Sequence, residues 1–388
     1  MNQWIRGLFP IMLLGGFLAL FFAYGPLGVF IAAFPPVEEL TIERVVLPEP
    51  DHIVLHVING GPQPVTVAQI TVDDAFWQYW TDPEEKTIPR LGRMRIDIPY
   101  PWVEGDTHEV VILTSTGLTF SHEIAVATTS PQVGWTYFWT FSLLGIYAGV
   151  IPVFLGLLWY PFLRELSTKW ISFFLSLTMG LLAFLAVDML EEAFESAEAV
   201  PGAYQGVALI GMGVLGAVLI LLYLSHLKVG PSDRASAEGR HWTAVMIATG
   251  IGLHNLGEGL AIGSSYALGE IALGTFLVVG FTLHNITEGL GIVTPIAKDR
   301  PSIGRLAVLG LIAGAPTVLG TWMGGFSYSP LWATLFLAIG VGAILQVIYQ
   351  LMSLLSRRGE TGFASAYHLT GFLLGLGIMY GTGLLVVS

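Results

Sequence analysis

The sequence predicts an all-α polytopic membrane bundle that carries a small all-β domain. Hydrophobic residues make up 54% of its 388 residues, charged residues make up 11%, and the mean hydropathy is +0.70. Soluble domains carry about 25% charged residues, so this composition indicates an integral membrane protein. The formal charge of −12 argues against a nucleic-acid partner. The chain has no cysteine, which excludes disulfides and thiolate metal sites.

An apolar run from Gly7 to Phe34 follows Arg6 at the start of the chain. The hydrophobic region of a cleaved signal peptide is shorter, about 7–15 residues. We therefore interpret residues 1–34 as a transmembrane anchor helix. The Ala32–Ala33 pair leaves cleavage open.

Residues 35–133 differ in composition from the rest of the chain. They contain charges, prolines and stretches in which β-branched residues alternate with polar ones, at His52–Ile58, Val65–Val72, Arg93–Ile98 and Glu109–Ser115. Glycine-rich turns separate these stretches. The pattern predicts a small antiparallel β-sandwich.

Two pairs of histidines lie in this β domain. His52 and His56 are four apart and therefore share one face of a strand, and His108 and His122 form the second pair. Either pair could seed a weak metal site. We favour the simpler interpretation that all four are polar strand positions.

Eight apolar spans follow the β domain and form a bundle over residues 134–388. With the anchor they make nine spans. The eight lie at about 137–160, 170–195, 203–227, 242–263, 271–297, 304–326, 330–355 and 364–387.

The distribution of Lys and Arg between the loops indicates how the spans are oriented in the membrane. If the N-terminus is cytoplasmic, the cytoplasmic segments contain Arg6, Arg164, Lys169, Lys228, Arg234, Arg240, Lys298, Arg300, Arg305, Arg357 and Arg358. The remaining Lys and Arg residues all lie in the β domain, so we expect that domain and the C-terminus to be extracytoplasmic.

A duplicated motif lies in the fourth and fifth core spans. The pattern H-N-x-x-E-G-L occurs twice, at His254, Asn255 and Glu258 and again at His284, Asn285 and Glu288. Residues three and four apart share one face of a helix, so each copy presents its three polar groups together. Imidazole, carboxylate and amide carbonyl groups suit a borderline divalent ion such as Zn²⁺, with Fe²⁺, Mn²⁺ or Cd²⁺ as alternatives.

A non-metal explanation of the motif is hydrogen bonding alone. In a soluble helix, a buried His next to an Asn is more often a satisfied pair than a ligand. Ionisable groups inside a membrane are costly and mark functional sites, and here they occur twice at the same depth. Consecutive spans run in opposite directions, so the duplication implies a pseudo-two-fold axis in the membrane plane, where transporters often place their substrate site.

These two segments resemble a known transporter family. HNLGEGLAIG at His254–Gly263 and HNITEG at His284–Gly289 are similar to the HNxxxGxAxG and HNxPEG motifs of the ZIP (Zrt/Irt-like) divalent metal transporters. The resemblance covers roughly residues 137–388 and implies a ZIP-like transport domain with an added anchor and β domain. Thr287 stands where the family usually has proline, so we expect a straighter helix there.

The resemblance extends to the second core span, which ends in AVDMLEEAFE. In the family an acidic or His residue precedes a PEA triplet. Asp188 and Glu192 match those positions, whereas Glu191 replaces the proline. Both are candidate metal-binding residues: we interpret Asp188 as a carboxylate of the metal pathway and Glu192 as part of an external vestibule of carboxylates that raises the local cation concentration.

The resemblance also bears on how many ions bind. Family members with a two-metal centre have a further Glu immediately before a proline in the sixth core helix, and Ala315 precedes Pro316 here. Glu258 and Glu288 supply two negative charges, which one divalent ion neutralises. We therefore expect one tight site, and we expect Ala315→Glu to add another.

The resemblance implies a protein that moves Zn²⁺-like ions towards the cytoplasm across a prokaryotic plasma membrane and is not an enzyme. Its partners would be divalent metal ions and the lipid bilayer, with a homodimer left open. One alternative is an intramembrane metalloenzyme, but H-E-x-x-H places two His on one helix and neither span has that order. The other alternative is a metal-sensing receptor in which the β domain binds a ligand.

Overall fold

The fold is known from a computed structural model that describes residues 3–24, 37–227, 236–357 and 365–387. The chain forms two compact units, Met1–Glu38 and Glu39–Ser388. The Ala32–Ala33 pair, the expected boundary at residues 34/35, and Lys228, Arg234 and Arg358 lie outside the described residues. The division into residues 1–34, 35–133 and 134–388 stays a prediction.

The first unit contains one helix, α1, at Gln3–Tyr24. Its segment Leu8–Phe21 is apolar but shorter than a full span. The helix agrees with the expected secondary structure, and its role as an anchor stays a prediction.

The second unit begins with a small antiparallel β domain, as predicted. Its strands are β1 Leu40–Val46, β2 Ile53–Asn59, β3 Val65–Val72, β4 Ala75–Trp77, β5 Trp80–Asp82, β6 Thr87–Ile88, β7 Arg93–Ile98, β8 His108–Thr114 and β9 Thr119–Ile124. One sheet has the order β1-β2-β7-β5. The other has the order β4-β3-β8-β9, with β6 also paired to β3.

The two sheets share one apolar core. Leu55 and Ile96 from the first sheet and Ile70 and Ile112 from the second are all fully buried in it. Along β7 and β8 every second side chain is buried in this core, which is the alternation that the sequence pattern predicts.

The bundle consists of helices with mostly short connections. They are α2 Trp135–Gly145, a π-helical turn Ile146–Val150, α3 Ile151–Leu157, α4 Tyr160–Glu165, α5 Thr168–Glu198, α6 Gly206–Leu227, α7 Ala237–Ala267, α8 Ile271–Val293, α9 Ile303–Ser327, α10 Pro330–Arg357 and α11 Ala366–Val387. The first predicted span thus corresponds to α2, the π turn, α3 and the start of α4, with helical backbone angles at each junction.

Seven apolar segments of the described chain are long enough to cross a membrane, judged by length and composition. They are Trp135–Glu165, Thr168–Glu198, Gly202–Leu227, Ala237–Ala267, Ile271–Ile296, Ile303–Ser327 and Pro330–Ser356. This finding fits an integral membrane protein. The last predicted span coincides with α11, which is not among the seven, so the count of eight plus one stays a prediction.

The β domain contacts one end of the bundle. Arg44 on β1 donates a hydrogen bond to the Phe326 carbonyl near the end of α9 (3.3 Å), and the backbone NH of Gly202 donates to Glu39 (2.6 Å). The loop from α7 to α8 reaches the same end, where a Cβ on Gly269 would lie 2.9 Å from Thr128. We call this the β-domain end of the bundle, and α7 therefore runs towards it.

Candidate metal centre

The duplicated motif lies in the middle of α7 and α8, and both copies are buried. The exposed fraction of the side chains is at most 5% in the set His254, Asn255, Glu258, His284, Asn285 and Glu288. Burying two imidazoles and two carboxylates is unfavourable unless they interact with one another or with an ion. The packing of α7 against α8 therefore creates a polar cluster inside an apolar bundle.

Glu258 is the centre of this cluster. Its Oε1 lies 2.6 Å from Nε2 of His284 and 2.8 Å from Nε2 of His254, so one oxygen faces both imidazoles. Among the described residues, His254, Glu258 and His284 form the one group of three or more His, Asp or Glu side chains whose candidate ligand atoms all lie within 4.8 Å of one another. Glu288 adjoins this group, with Oε1 3.5 Å from His254 Nε2.

The two asparagines are held in equivalent ways by neighbouring helices. Asn255 donates from Nδ2 to the Ala313 carbonyl of α9 (3.0 Å), and Asn285 donates from Nδ2 to the Ala148 carbonyl of the π turn (2.8 Å). Asn285 Nδ2 also donates to Oε2 of Glu258 (3.0 Å). In each case no described residue donates a hydrogen bond to the carbonyl oxygen Oδ1.

Buried acceptors without donors are concentrated in this cluster. Within the described part of the chain, no group hydrogen-bonds to Oδ1 of Asn255, Oδ1 of Asn285 or either carboxylate oxygen of Glu288. His254 Nε2 likewise has no aligned hydrogen-bond partner, although it is close to Glu258. Most buried polar atoms in proteins are paired, so a collection of unpaired nitrogen and oxygen lone pairs is suited to a cation. The mixture of imidazole nitrogen and oxygen matches Zn²⁺-like ions.

The structure adds Met189 of α5, which the sequence analysis did not identify. Its sulfur lies 3.0 Å from Nδ1 of His254, and the residue is 3% exposed. A proton on Nδ1 can point at this sulfur, which leaves the Nε2 lone pair directed at Glu258 and available to a metal. A single Met in an apolar span has no distinguishing sequence signal, since Met is an ordinary core residue.

Asp188 and Glu192 do not belong to the close group of ligands. Asp188 is exposed beside the buried Met189, and Glu192 is partly buried one turn nearer the end of α5. Burial raises the pKa of Tyr328; a hydrogen bond with Ser196 opposes this, and the charges of Glu192 and Glu270 add to it. Glu192 and Glu270 therefore lie close enough to the same phenol, at the β-domain end, to influence it.

Ala315 is partly exposed on α9. On α9 it is four residues from both Leu311 and Leu319, each of which is 51% exposed, so the three share the outer face of the helix. The α9 groups directed towards α7 include the carbonyls of Ala313 and Thr317. A Glu at residue 315 would start from this face of α9. The expectation that Ala315→Glu adds a metal site stays untested, and the placement of residue 315 favours no added site.

The β-domain histidines have other partners. His56 pairs across the sheet with Arg44 on one side and Arg95 on the other. Burial and then the charges of these two arginines lower its pKa. His108 Nδ1 lies 2.8 Å from Asp73, and no close group of metal-ligand type includes any described residue of this domain.

Neither a scan against protein-family models nor a search of the curated proteins finds a match for this chain. The resemblance to the ZIP transporters thus rests on the motif residues alone. A functional conclusion must come from the geometry of the cluster and from the apolar helices that hold it.

Proposed function

We propose that this protein is a divalent metal ion transporter that moves Zn²⁺-like ions across a membrane towards the cytoplasm. The observation that carries the proposal is the buried cluster of His254, Glu258 and His284, whose ligand atoms lie within 4.8 Å of one another. Its helices have the length and composition of membrane spans. A cluster of potential metal ligands from two adjacent spans is the arrangement expected of a substrate site at the membrane midplane.

The charge of the cluster supports a divalent cargo. Glu258 and Glu288 supply two negative charges when ionised, and the asparagines and neutral imidazoles add none. One divalent ion makes the cluster neutral, which minimises the cost of holding charge in a poorly polarisable environment. A monovalent ion would leave one negative charge uncompensated.

Metal binding would also displace a proton. His284 Nε2 and Glu258 Oε1 lie 2.6 Å apart, a hydrogen-bond distance that places a proton between them. Both atoms are candidate ligands, and neither can bind a metal through the lone pair that holds this proton. We therefore propose that the apparent affinity for Zn²⁺ rises with pH and that binding releases protons.

The test is Zn²⁺ flux in proteoliposomes with a Glu258→Gln variant. This change retains the side-chain shape and removes the anion, so flux should be lost while the thermal unfolding temperature of the purified protein is preserved. His254→Ala and His284→Ala should weaken affinity less severely, because each removes a neutral ligand. Glu109→Gln, at an exposed position on β8, is the matched control and should leave flux unchanged.

Full flux in Glu258→Gln at matched expression would refute the assignment of the site. Zn²⁺ binding without flux in the wild-type protein would refute transport. In that case hydrolase assays with bound metal, and ligand binding by a variant lacking residues 37–133, would distinguish an enzyme from a receptor.

A further inference from the structure

Gln346 of α10 is a buried polar residue that the metal centre does not use. Its side chain is 1% exposed. Among the described residues, none forms a hydrogen bond with either its Nε2 or its Oε1. A buried amide without partners is unfavourable, and a leucine of similar size would avoid the cost. The residue therefore does not contribute to the fold through any hydrogen bond that the structure shows.

Gln346 lies close to the metal centre, on a helix that packs against α7. A Cβ on Gly340 of α10 would lie 3.4 Å from His254 Cα, and a Cβ on Gly250 of α7 would lie 3.8 Å from Gln346 Oε1. Gly250 precedes His254 by one helical turn, which is about 6 Å along α7. Gln346 thus lies against α7 one turn from the centre, on the side away from the β-domain end.

A second amide continues in the same direction. Gln350 is four residues further along α10, so it shares a helix face with Gln346. Its Oε1 is also buried and has no hydrogen-bond partner within the described chain. The two amides therefore form a short row that begins one turn from His254 and runs towards the end of the bundle opposite the β domain.

We infer that Gln346, followed by Gln350, is a transit site that accepts the divalent ion through its amide oxygen after the ion leaves the His–Glu cluster. This inference rests on the proposed transport function. A neutral amide suits this role because its oxygen can replace water around the ion without adding a negative charge. A pathway needs sites that bind strongly enough to admit an ion and weakly enough to release it. A buried carboxylate at the same place would retain the cation more strongly.

The experiment compares Gln346→Leu with the wild-type protein. In proteoliposomes we expect Zn²⁺ flux to fall by about tenfold, equivalent to about 1.4 kcal/mol in the barrier. The calorimetric affinity of the tight site should not change, because no cluster ligand is altered. Thermal stability should be equal or higher, since an unpaired buried amide has been removed. Gln350→Leu should have a smaller effect in the same direction.

Gln346→Glu is the second variant and has an independent readout. A carboxylate one turn from the cluster should hold a second Zn²⁺, so calorimetry on the purified protein should show an additional bound equivalent and flux should be slow. Gln132→Leu, on the exposed surface of the β domain, serves as the matched control and should retain wild-type flux.

Wild-type flux in Gln346→Leu, at matched protein content, would overturn the transit site even if transport itself is established. An unchanged number of bound ions in Gln346→Glu would overturn it as well. A wild-type protein that shows no Zn²⁺ flux at all would instead refute the proposed function, so the two failures are distinguishable.

Discussion

At the scale of single residues, Glu258 determines the geometry of the cluster. Its two oxygens face His254, His284 and the amide of Asn285, so three side chains from two helices converge on one carboxylate. Glu288 differs because neither of its oxygens accepts a hydrogen bond from the described residues. The two carboxylates therefore differ in their contacts: Glu258 holds the neighbouring side chains together, whereas Glu288 lies beside His254 and Asn255 without an aligned hydrogen bond.

The number of tightly bound ions is the residue-scale prediction. Two carboxylates balance one divalent ion, and a second ion would leave two positive charges in a buried site. We expect calorimetry with Zn²⁺ to give one high-affinity equivalent. Ala315→Glu should leave this number at one, because residue 315 shares the outer face of α9 with exposed leucines. A second tight equivalent in either protein would contradict the charge balance or the placement of α9.

At the scale of helices, glycine allows α7 and α9 to come into direct backbone contact. A Cβ would lie between 2.1 and 2.3 Å from a carbonyl oxygen of the facing helix at five positions, Gly252, Gly259, Gly263, Gly320 and Gly324. Each helix contributes a pair of glycines four residues apart, so the two stripes of small residues face each other. This contact places Ala313 where its carbonyl accepts the hydrogen bond from Asn255.

Gly259→Ala tests this contact. The new methyl group would lie 2.1 Å from the Thr317 carbonyl, so the two backbones must separate. Overpacking of this kind costs about 1–3 kcal/mol. We expect a lower unfolding temperature and weaker Zn²⁺ binding, because Glu258 is the adjacent residue. Gly216→Ala on α6 has open space around its Cβ and should retain both properties. Equal behaviour of the two variants would show that the close contact is unimportant.

At the scale of the whole molecule, the two ends of the bundle are built differently. The β-domain end holds the contacts of Arg44 and Glu39 with the helices. At the opposite end, Arg240 forms an ion pair with Asp299, and Lys298 donates hydrogen bonds to the Arg164 and Leu166 carbonyls (2.8 and 2.7 Å). Basic residues at this end therefore stabilise the local structure, and they also produce the excess of positive charge that predicts a cytoplasmic location for this end.

The orientation of the bundle is testable because the chain has no cysteine. Asp106 is exposed in the β domain, so a cysteine there should react with a membrane-impermeant maleimide. We expect Asp106→Cys to be labelled in intact cells from the extracytoplasmic side. A cysteine at Glu165, exposed at the opposite end, should react only after the membrane is opened. Labelling in the reverse order would contradict the predicted orientation.

The sequence was sufficient for features that depend on local periodicity and composition. Apolar length predicts the helices of the bundle, and alternation over residues such as Val65–Val72 predicts the strands, because both patterns record which side chains avoid water. The spacing of His254 and Glu258 on one helix face follows from helical geometry alone. These features require no knowledge of how distant segments pack, so the sequence determines them by itself.

Tertiary structure decided how the helices face one another. The distances from Glu258 to both imidazoles, the contact of Met189 with His254 and the outward position of Ala315 depend on the rotation of each helix about its axis. That rotation is set by the close contacts between glycines on different helices, which are distant in sequence. Gln346 is the clearest example, because an isolated Gln in an apolar span becomes informative only when the described residues around it provide no hydrogen-bond partner.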